Sequence, residues 1–126
     1  MAGEKILVVD DDELSVELVR DVLEMHGYKI YCASRGQEAI ELAREIQPAL
    51  ILMDIELPGM DGFAVTRALQ EDSATRESLV VALTAFTMKN KKEEALSAGC
   101  IGYITKPINT HQLVKDVAFY LKKAVK

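Results

Sequence analysis

Five short apolar runs alternate with five helix-like segments along this chain, and that alternation restricts its fold more than any other feature. The runs cover residues 6–9, 29–33, 50–53, 79–83 and 101–104. Most are continuously apolar, which is typical of strands that are covered on both faces, as in a parallel sheet. Strict alternation of strand and helix in a short chain therefore predicts an α/β fold, an open parallel sheet with helices on both faces.

Helix signals fill the segments between the runs. The first segment carries apolar residues at intervals of four, which predicts one apolar stripe along the helix; they are Leu14, Leu18, Val19, Val22 and Leu23. Ser34 and Gln37 have the spacing of a capping box at the start of the second helix. We expect the third helix to begin near Asp61, the fourth to cover residues 87–98, and the fifth to begin at Asn109.

Composition and charge exclude several classes of protein. The chain has 126 residues, enough for one domain with a core of its own. Its formal net charge of −5 argues against nucleic acid as a direct partner, because phosphate binding requires a basic face. Only four apolar residues follow the N-terminal segment before acidic residues begin. This run is too short for a signal peptide or a transmembrane helix, so we expect no membrane insertion. Cys32 and Cys100 lack metal-binding spacing and suit a reducing compartment, so we expect a cytoplasmic protein.

Ionic and hydroxyl side chains follow four of the five predicted strands. They are Asp10, Asp11 and Asp12 after the first, Asp54 after the third, Thr84 after the fourth and Lys106 after the fifth. Ligands of open α/β sheets bind beyond the carboxyl ends of the strands. The sequence therefore predicts one functional site at that edge.

The chemistry of these side chains points to phosphoryl transfer. Two carboxylates ~4 Å apart repel by roughly 4 kcal/mol at an effective dielectric constant of ~20, so an acidic cluster needs a cation or raised pKa values. Carboxylate oxygens suit Mg²⁺, which also accepts phosphate oxygens. Lys106 and Thr84 could hold the other oxygens of a phosphoryl group. Asp54 is the best candidate for the nucleophile, because it is central while the other acids lie to one side.

Each of these residues also has a purely structural interpretation. Asp12 could serve only as the N-cap of the first helix, and Asp10 or Asp11 taken singly could be a cap as well. Asp54 could be a loop residue, Lys106 a surface lysine, and Thr84 a hydroxyl at a strand end. Their joint placement after four strands is much harder to explain in this way.

The motifs resemble those of response-regulator receiver domains. The acidic first strand at residues 6–12, the strand and loop at 50–62, the segment 82–85 and the lysine–proline segment 103–107 carry the resemblance. The similarity extends over about residues 4–124, essentially the whole chain.

This resemblance implies a flavodoxin-like (βα)5 three-layer sandwich with strand order 2-1-3-4-5. It implies a phosphoacceptor switch of a two-component system or phosphorelay, which is no enzyme beyond its own phosphorylation and dephosphorylation. The implied partners are a sensor histidine kinase or a histidine phosphotransfer protein, and a downstream target protein. No output domain follows the fifth helix in this sequence, so we expect action through partner binding or phosphate relay.

The resemblance also assigns a magnesium site. It implies that Asp54 is the phosphoacceptor and that Asp11 and Asp54 coordinate Mg²⁺ through their side chains. It further implies that Glu56 contributes its backbone carbonyl and that Asp10 acts mostly through water.

The resemblance implies that three further residues contact the phosphoryl group or respond to it. Lys106 contacts it, usually beside a cis peptide bond to Pro107. Thr84 moves to bond a phosphoryl oxygen, and Tyr103 is the aromatic switch that turns inward when Thr84 moves. Tyr103 could alternatively be an ordinary half-buried strand aromatic. We expect phosphorylation to alter the surface formed by the fourth helix, fifth strand and fifth helix.

Glu56 and Phe86 are candidates for tuning the lifetime of the acyl phosphate. Glu56 lies two residues after Asp54, and Phe86 two residues after Thr84. We hypothesise that the anionic and the bulky side chain slow the attack of water by repulsion and steric cover.

Three other functions fit the alternation of strands and helices. A magnesium-dependent phosphatase would need a second acid and a cap, and neither is evident. A flavodoxin would need a hydroxyl- and glycine-rich loop after the first strand, where this chain has acids. A pseudo-receiver would lack part of the acid, hydroxyl and lysine set that this sequence contains in full.

Overall fold

The computed structural model describes residues 3–57, 61–85 and 92–124. Within these residues it has five strands, β1 (Lys5–Val9), β2 (Lys29–Ala33), β3 (Leu50–Asp54), β4 (Leu79–Ala85) and β5 (Cys100–Lys106). The helices between and after them are α1 (Glu13–Met25), α2 (Gly36–Ile46), α3 (Gly62–Glu71), α4 (Lys92–Ala98) and α5 (Thr110–Ala124).

The strands form one parallel sheet in the order β2-β1-β3-β4-β5, which confirms the predicted flavodoxin-like fold. Successive side chains of a strand point to opposite faces, and the helices cover both faces. In β1, Leu7 and Val9 pack on the side of α2, α3 and α4, whereas Ile6 and Val8 pack on the side of α1 and α5. These two cores explain why the apolar runs are continuous.

The apolar stripe predicted for α1 was only partly right. Val19 and Leu23 are buried against the sheet, but the exposed fraction of Leu14 is 76% and that of Leu18 is 39%. Residues 19 and 23 form one row along the helix, and residues 14 and 18 form the next row, rotated away from it. Only one of the two rows can face the sheet.

The predicted starts of α1, α3 and α5, and the predicted ends of α1 and α4, agree with the structure. Asp12 and Asp61 cap α1 and α3, and the Oδ1 atom of Asn109 accepts a hydrogen bond from the backbone N–H of Gln112 at 3.0 Å. Gly27 (φ 90°) and Gly99 (φ 115°) follow α1 and α4 in the left-handed conformation that glycine tolerates best.

The capping box predicted for α2 was wrong. The N-cap is Arg35, which makes no capping hydrogen bond with its side chain. The backbone N–H of Ser34 instead donates to Oε1 of Glu38 at 2.9 Å, one position beyond Gln37. Glutamate offers two acceptor oxygens and no donor, so it satisfies this N–H better than an amide does.

The predicted start of the fourth helix at residue 87 lies outside the described residues. Across the described ranges, no helix combines the length and apolar character needed to span a bilayer.

Candidate functional site

The parallel sheet brings the predicted site residues to one edge. Val9 is paired with Met53, so Asp10 and Asp54 follow neighbouring strands directly. Asp54 is paired with Leu83, the residue before Thr84. Lys106 ends β5 opposite Ala85, which completes the row across four strands.

Asp10 is a buried acid, and each of its two carboxylate oxygens faces an N–H group. Its exposed fraction is 2%. Oδ1 accepts a hydrogen bond from the backbone N–H of Asp12 at 3.0 Å. Oδ2 lies 2.8 Å from Nζ of Lys106 and forms an ion pair with it. A carboxylate oxygen has two lone pairs, so this buried oxygen can accept a cation or a water as well.

Asp54 ends β3 and is 6% exposed. The backbone N–H of Glu56 donates to its Oδ1 at 3.0 Å, and Nζ of Lys106 lies 3.4 Å from its Oδ2. Burial raises the pKa of Asp54 above its ordinary value, although the Glu56 N–H and the Lys106 ammonium both act to lower it. The ionised carboxylate is thus held in a place that solvates it poorly.

Lys106 connects the two acids. Burial lowers the pKa of its ammonium, but the contacts with Asp10 and Asp54 outweigh burial, and the net shift is upward. The side chain therefore keeps its positive charge. The peptide bond between Lys106 and Pro107 is cis, as the resemblance implies.

Three carboxylates converge beside this lysine. Asp10, Asp11 and Asp54 each present an oxygen within 4.8 Å of the others, with Asp11 exposed and the other two buried. Opposed ligands of a magnesium ion lie about 4.2 Å apart, given its Mg–O distance of about 2.1 Å. Oxygen ligands at this spacing, one of them with unused capacity, suit a small divalent cation that also keeps waters.

Asp12 is an N-cap, as its structural interpretation predicted. Its Oδ1 accepts a hydrogen bond from the backbone N–H of Leu14 at 3.2 Å, and its Oδ2 accepts one from Oγ of Ser15 at 3.0 Å. Asp12 therefore stabilises α1 and stands outside the carboxylate cluster.

The remaining predicted residues are placed as follows. Thr84 is 8% exposed in β4, and Tyr103 is 40% exposed in β5. Glu56 is exposed directly beyond β3. Phe86 lies outside the described residues, so its tuning role stays a hypothesis.

Gly62 is a site residue that the sequence analysis missed. A Cβ atom placed on it would lie 2.5 Å from the backbone oxygen of Asp54 and 2.5 Å from Cα of Ile55. Its N–H donates to the backbone oxygen of Ile55 at 3.2 Å, so the start of α3 packs directly on the segment that carries Asp54. One signal was available, because glycine is unfavourable in a helix and its presence right after the cap residue Asp61 needs a reason.

Comparison with known proteins identifies the family. The family model described as "Response regulator receiver domain" matches residues 6–118. The chain is a response-regulator receiver domain. The wider bounds of 4–124 and the absence of an output domain stay predictions.

Similar receiver domains occur in different settings. The polar-differentiation response regulator DivK of Brucella anthropi is 42% identical over 119 residues, which are 94% of this chain and 97% of that protein. The chemotaxis response regulator CheY4 of Vibrio cholerae has a TM-score of 0.88 and 29% identity, and the match covers 94% of this chain and 99% of CheY4. A receiver domain of a signal transduction histidine kinase from Syntrophus aciditrophicus has a TM-score of 0.88 and 29% identity over 98% of this chain and 94% of that one.

The family establishes the general function of this receiver domain. It is a switch of two-component signalling and not a classical enzyme, and it works with kinases and downstream targets. The match decides against the phosphatase and flavodoxin alternatives.

Gly62→Ala tests the packing of α3 on Asp54. The added Cβ has no room beside the backbone of residues 54 and 55, so we expect a loss of about 1–3 kcal/mol in the free energy of unfolding, measured with urea. The neighbouring Asp61→Asn variant keeps a capping side chain and adds no Cβ, and it should lose well under 1 kcal/mol. Equal losses in both variants would contradict the close approach.

Proposed function

We propose that this receiver domain accepts a phosphoryl group on Asp54 from a phosphohistidine of a sensor kinase or histidine phosphotransfer protein, with Mg²⁺ bound at the acidic cluster. One observation carries the proposal. The buried Asp54 carboxylate shares the Lys106 ammonium with Asp10, and oxygens of Asp10 and Asp11 lie within 4.8 Å of it. An ion pair that served only surface stability would not require a buried carboxylate or more acidic than basic side chains.

The contacts of Asp54 prepare its carboxylate for attack. The Glu56 N–H fixes the orientation of the carboxylate through Oδ1, and poor solvation leaves the anion reactive. A carboxylate oxygen forms a bond to phosphorus while the bond from phosphorus to the histidine nitrogen breaks. The histidine leaves with that electron pair, and Asp54 becomes an acyl phosphate.

The other rim residues neutralise and hold the transferred group. The Lys106 ammonium lies beside Oδ2 of Asp54, within reach of phosphoryl oxygens on that carboxylate. Asp11 and Asp54 would hold Mg²⁺ through their side chains, Glu56 through its carbonyl and Asp10 through water. When bound, the ion offsets the negative charge of the phosphoryl oxygens.

The output of the switch is proposed to be the surface formed by α4, β5 and α5. Each of these elements exposes one large apolar side chain: Leu96 (50%), Tyr103 (40%) and Phe119 (55%). Thr84 would bond a phosphoryl oxygen, and Tyr103 would turn inward in response. Phosphorylation can change this surface only by favouring one of two states.

The magnesium site is tested through stability, independently of phosphorylation. Mg²⁺ at a hundred times its dissociation constant should raise the free energy of unfolding of the wild type by ~2.7 kcal/mol. Asp11→Asn should lose most of this gain. Asp12→Asn is the matched control, because it removes an adjacent charge outside the cluster and preserves the cap. The same gain in both variants would reject the assigned ligands.

The phosphoacceptor is tested by labelling with acetyl phosphate and Mg²⁺, followed by mass spectrometry of the intact protein. The wild type and Asp12→Asn should gain one phosphoryl group per chain. Asp54→Asn should gain none, because an amide cannot form the acyl phosphate. An unlabelled wild type, or labelling of Asp54→Asn to the same extent, would reject the proposal.

The tuning hypothesis predicts the lifetime of the phosphorylated form. Glu56→Ala and Phe86→Ala should both shorten the dephosphorylation half-life severalfold, because repulsion or steric cover of the attacking water is lost. Glu56→Gln keeps the size and removes the charge, so it separates the two causes. Unchanged or longer half-lives would reject the hypothesis.

A further inference from the structure

A hydroxyl group lies in the apolar core next to the start of α3. Thr66 is fully buried, and the other large side chains on the buried face of this helix are apolar, namely Phe63, Val65 and Leu69. Valine would fill nearly the same space, and burying a hydroxyl is costly unless it is hydrogen-bonded. The reason for threonine at this position must therefore lie in its hydrogen bonds.

The Thr66 hydroxyl joins the start of α3 to the start of β5. Its Oγ1 donates a hydrogen bond to the backbone oxygen of Gly62 at 2.8 Å. A hydroxyl has one hydrogen, so in the 3.9 Å contact between Oγ1 and Sγ of Cys100 the thiol is the donor. Burial raises the pKa of the Cys100 thiol, so the sulfur keeps its hydrogen. Both hydrogen-bonding roles of the Thr66 hydroxyl are therefore used.

The acceptor of this bond, Gly62, packs on the segment that carries the proposed phosphoacceptor. A Cβ atom on Gly62 would lie 2.5 Å from the backbone oxygen of Asp54, and the Gly62 N–H donates to the backbone oxygen of Ile55 at 3.2 Å. The next residue, Glu56, donates its N–H to Oδ1 of Asp54 at 3.0 Å. A shift of Gly62 therefore displaces the short segment that orients the Asp54 carboxylate.

The bond from Thr66 controls the geometry of the first turn of α3. A threonine hydroxyl that bonds the carbonyl four residues earlier competes with the regular helical bond and changes the local bend of the helix. Here that carbonyl belongs to Gly62, which has no side chain to hold it in place. The hydroxyl therefore fixes how the first turn meets the backbone of Asp54.

We propose that Thr66 is a positioning residue for Asp54, and this inference rests on the proposed function. Thr66 does not contact the carboxylate itself. Its hydroxyl holds Gly62, and Gly62 holds the backbone of residues 54 and 55. Without the hydroxyl, the first turn of α3 relaxes and the Asp54 carboxylate loses its defined orientation.

Thr66→Val removes the hydroxyl and tests this inference. The matched control is Thr75→Val, since Thr75 is also fully buried and its Oγ1 donates to a backbone oxygen of the same helix, that of Leu69, at 2.6 Å. This bond lies at the end of α3 that is far from Asp54. Both variants lose one buried hydroxyl with a carbonyl partner, so both should lower the urea midpoint.

Two measurements separate positioning from stability. The first is the exchange rate of the Glu56 amide, followed by NMR without Mg²⁺. We expect it to be roughly fivefold faster in Thr66→Val, the factor that corresponds to one neutral hydrogen bond. The second is the rate of labelling by acetyl phosphate with Mg²⁺, which should fall roughly tenfold, because small displacements of a reacting group are costly. Thr75→Val should match the wild type in both measurements.

A second pair of variants differs by a single oxygen atom and covers the case in which Thr66→Val does not fold. Thr66→Ser keeps the hydroxyl and should stay close to the wild type in both measurements. Thr66→Ala lacks the hydroxyl and places no methyl group against the oxygen of Gly62, and it should behave as expected for Thr66→Val. Equal results for Thr66→Ser and Thr66→Ala would show that packing and not the hydroxyl is responsible, and would overturn the inference.

The failure of this inference is distinct from the failure of the proposed function. A wild type that acetyl phosphate does not label would reject the proposed function. If the wild type is labelled and Thr66→Val lowers only the urea midpoint, as Thr75→Val does, Thr66 is purely structural and the inference alone is wrong.

Discussion

One ammonium group facing two buried carboxylates is the interaction on which this site depends. Nζ of Lys106 lies 2.8 Å from Asp10 and 3.4 Å from Asp54. Buried carboxylates are costly unless they are paired, and with Asp11 the cluster has three negative charges against one positive charge. A divalent cation would neutralise the two negative charges that remain. The cluster is therefore compatible with folding and retains an acidic surplus that could hold a metal ion.

The parallel sheet makes this arrangement possible because its strands collect residues that are distant in the chain. Asp10 directly follows β1, and Asp54 and Lys106 end β3 and β5. The central strands β1 and β3 are buried on both faces. Two apolar cores hold the strand ends rigidly, whereas α3 begins against the backbone of Asp54 through Gly62. Rigid support of this kind allows a few polar groups to be held at a spacing that solvent alone would not maintain.

The sequence was informative where local pattern decides structure and less informative where packing does. Continuous apolar runs and the acids after them were enough to predict the parallel sheet and the convergence of Asp10, Asp11 and Asp54. Pattern alone could not decide which of the two apolar rows of α1 faces the sheet. The pattern also predicted Gln37 as the partner of Ser34, whereas the backbone N–H of Ser34 donates to the neighbouring Glu38. The contacts of Gly62 with Asp54 and of Gly102 with Tyr120 depend on how two elements approach each other in space.

Both ends of the proposed signal lie on β5. Lys106 is at its carboxyl end beside the phosphoacceptor, and Tyr103 is three residues earlier on the exposed surface. As the last strand of the described sheet, β5 has a neighbouring strand on one side only, so it is the strand of the rim with the least backbone support. A strand that must respond to charge at one end benefits from having a neighbouring strand on one side only. Such a strand then needs support from another element to hold its position. The Tyr120 ring of α5 packs closely on the backbone of Gly102 and so supports β5 directly beside Tyr103.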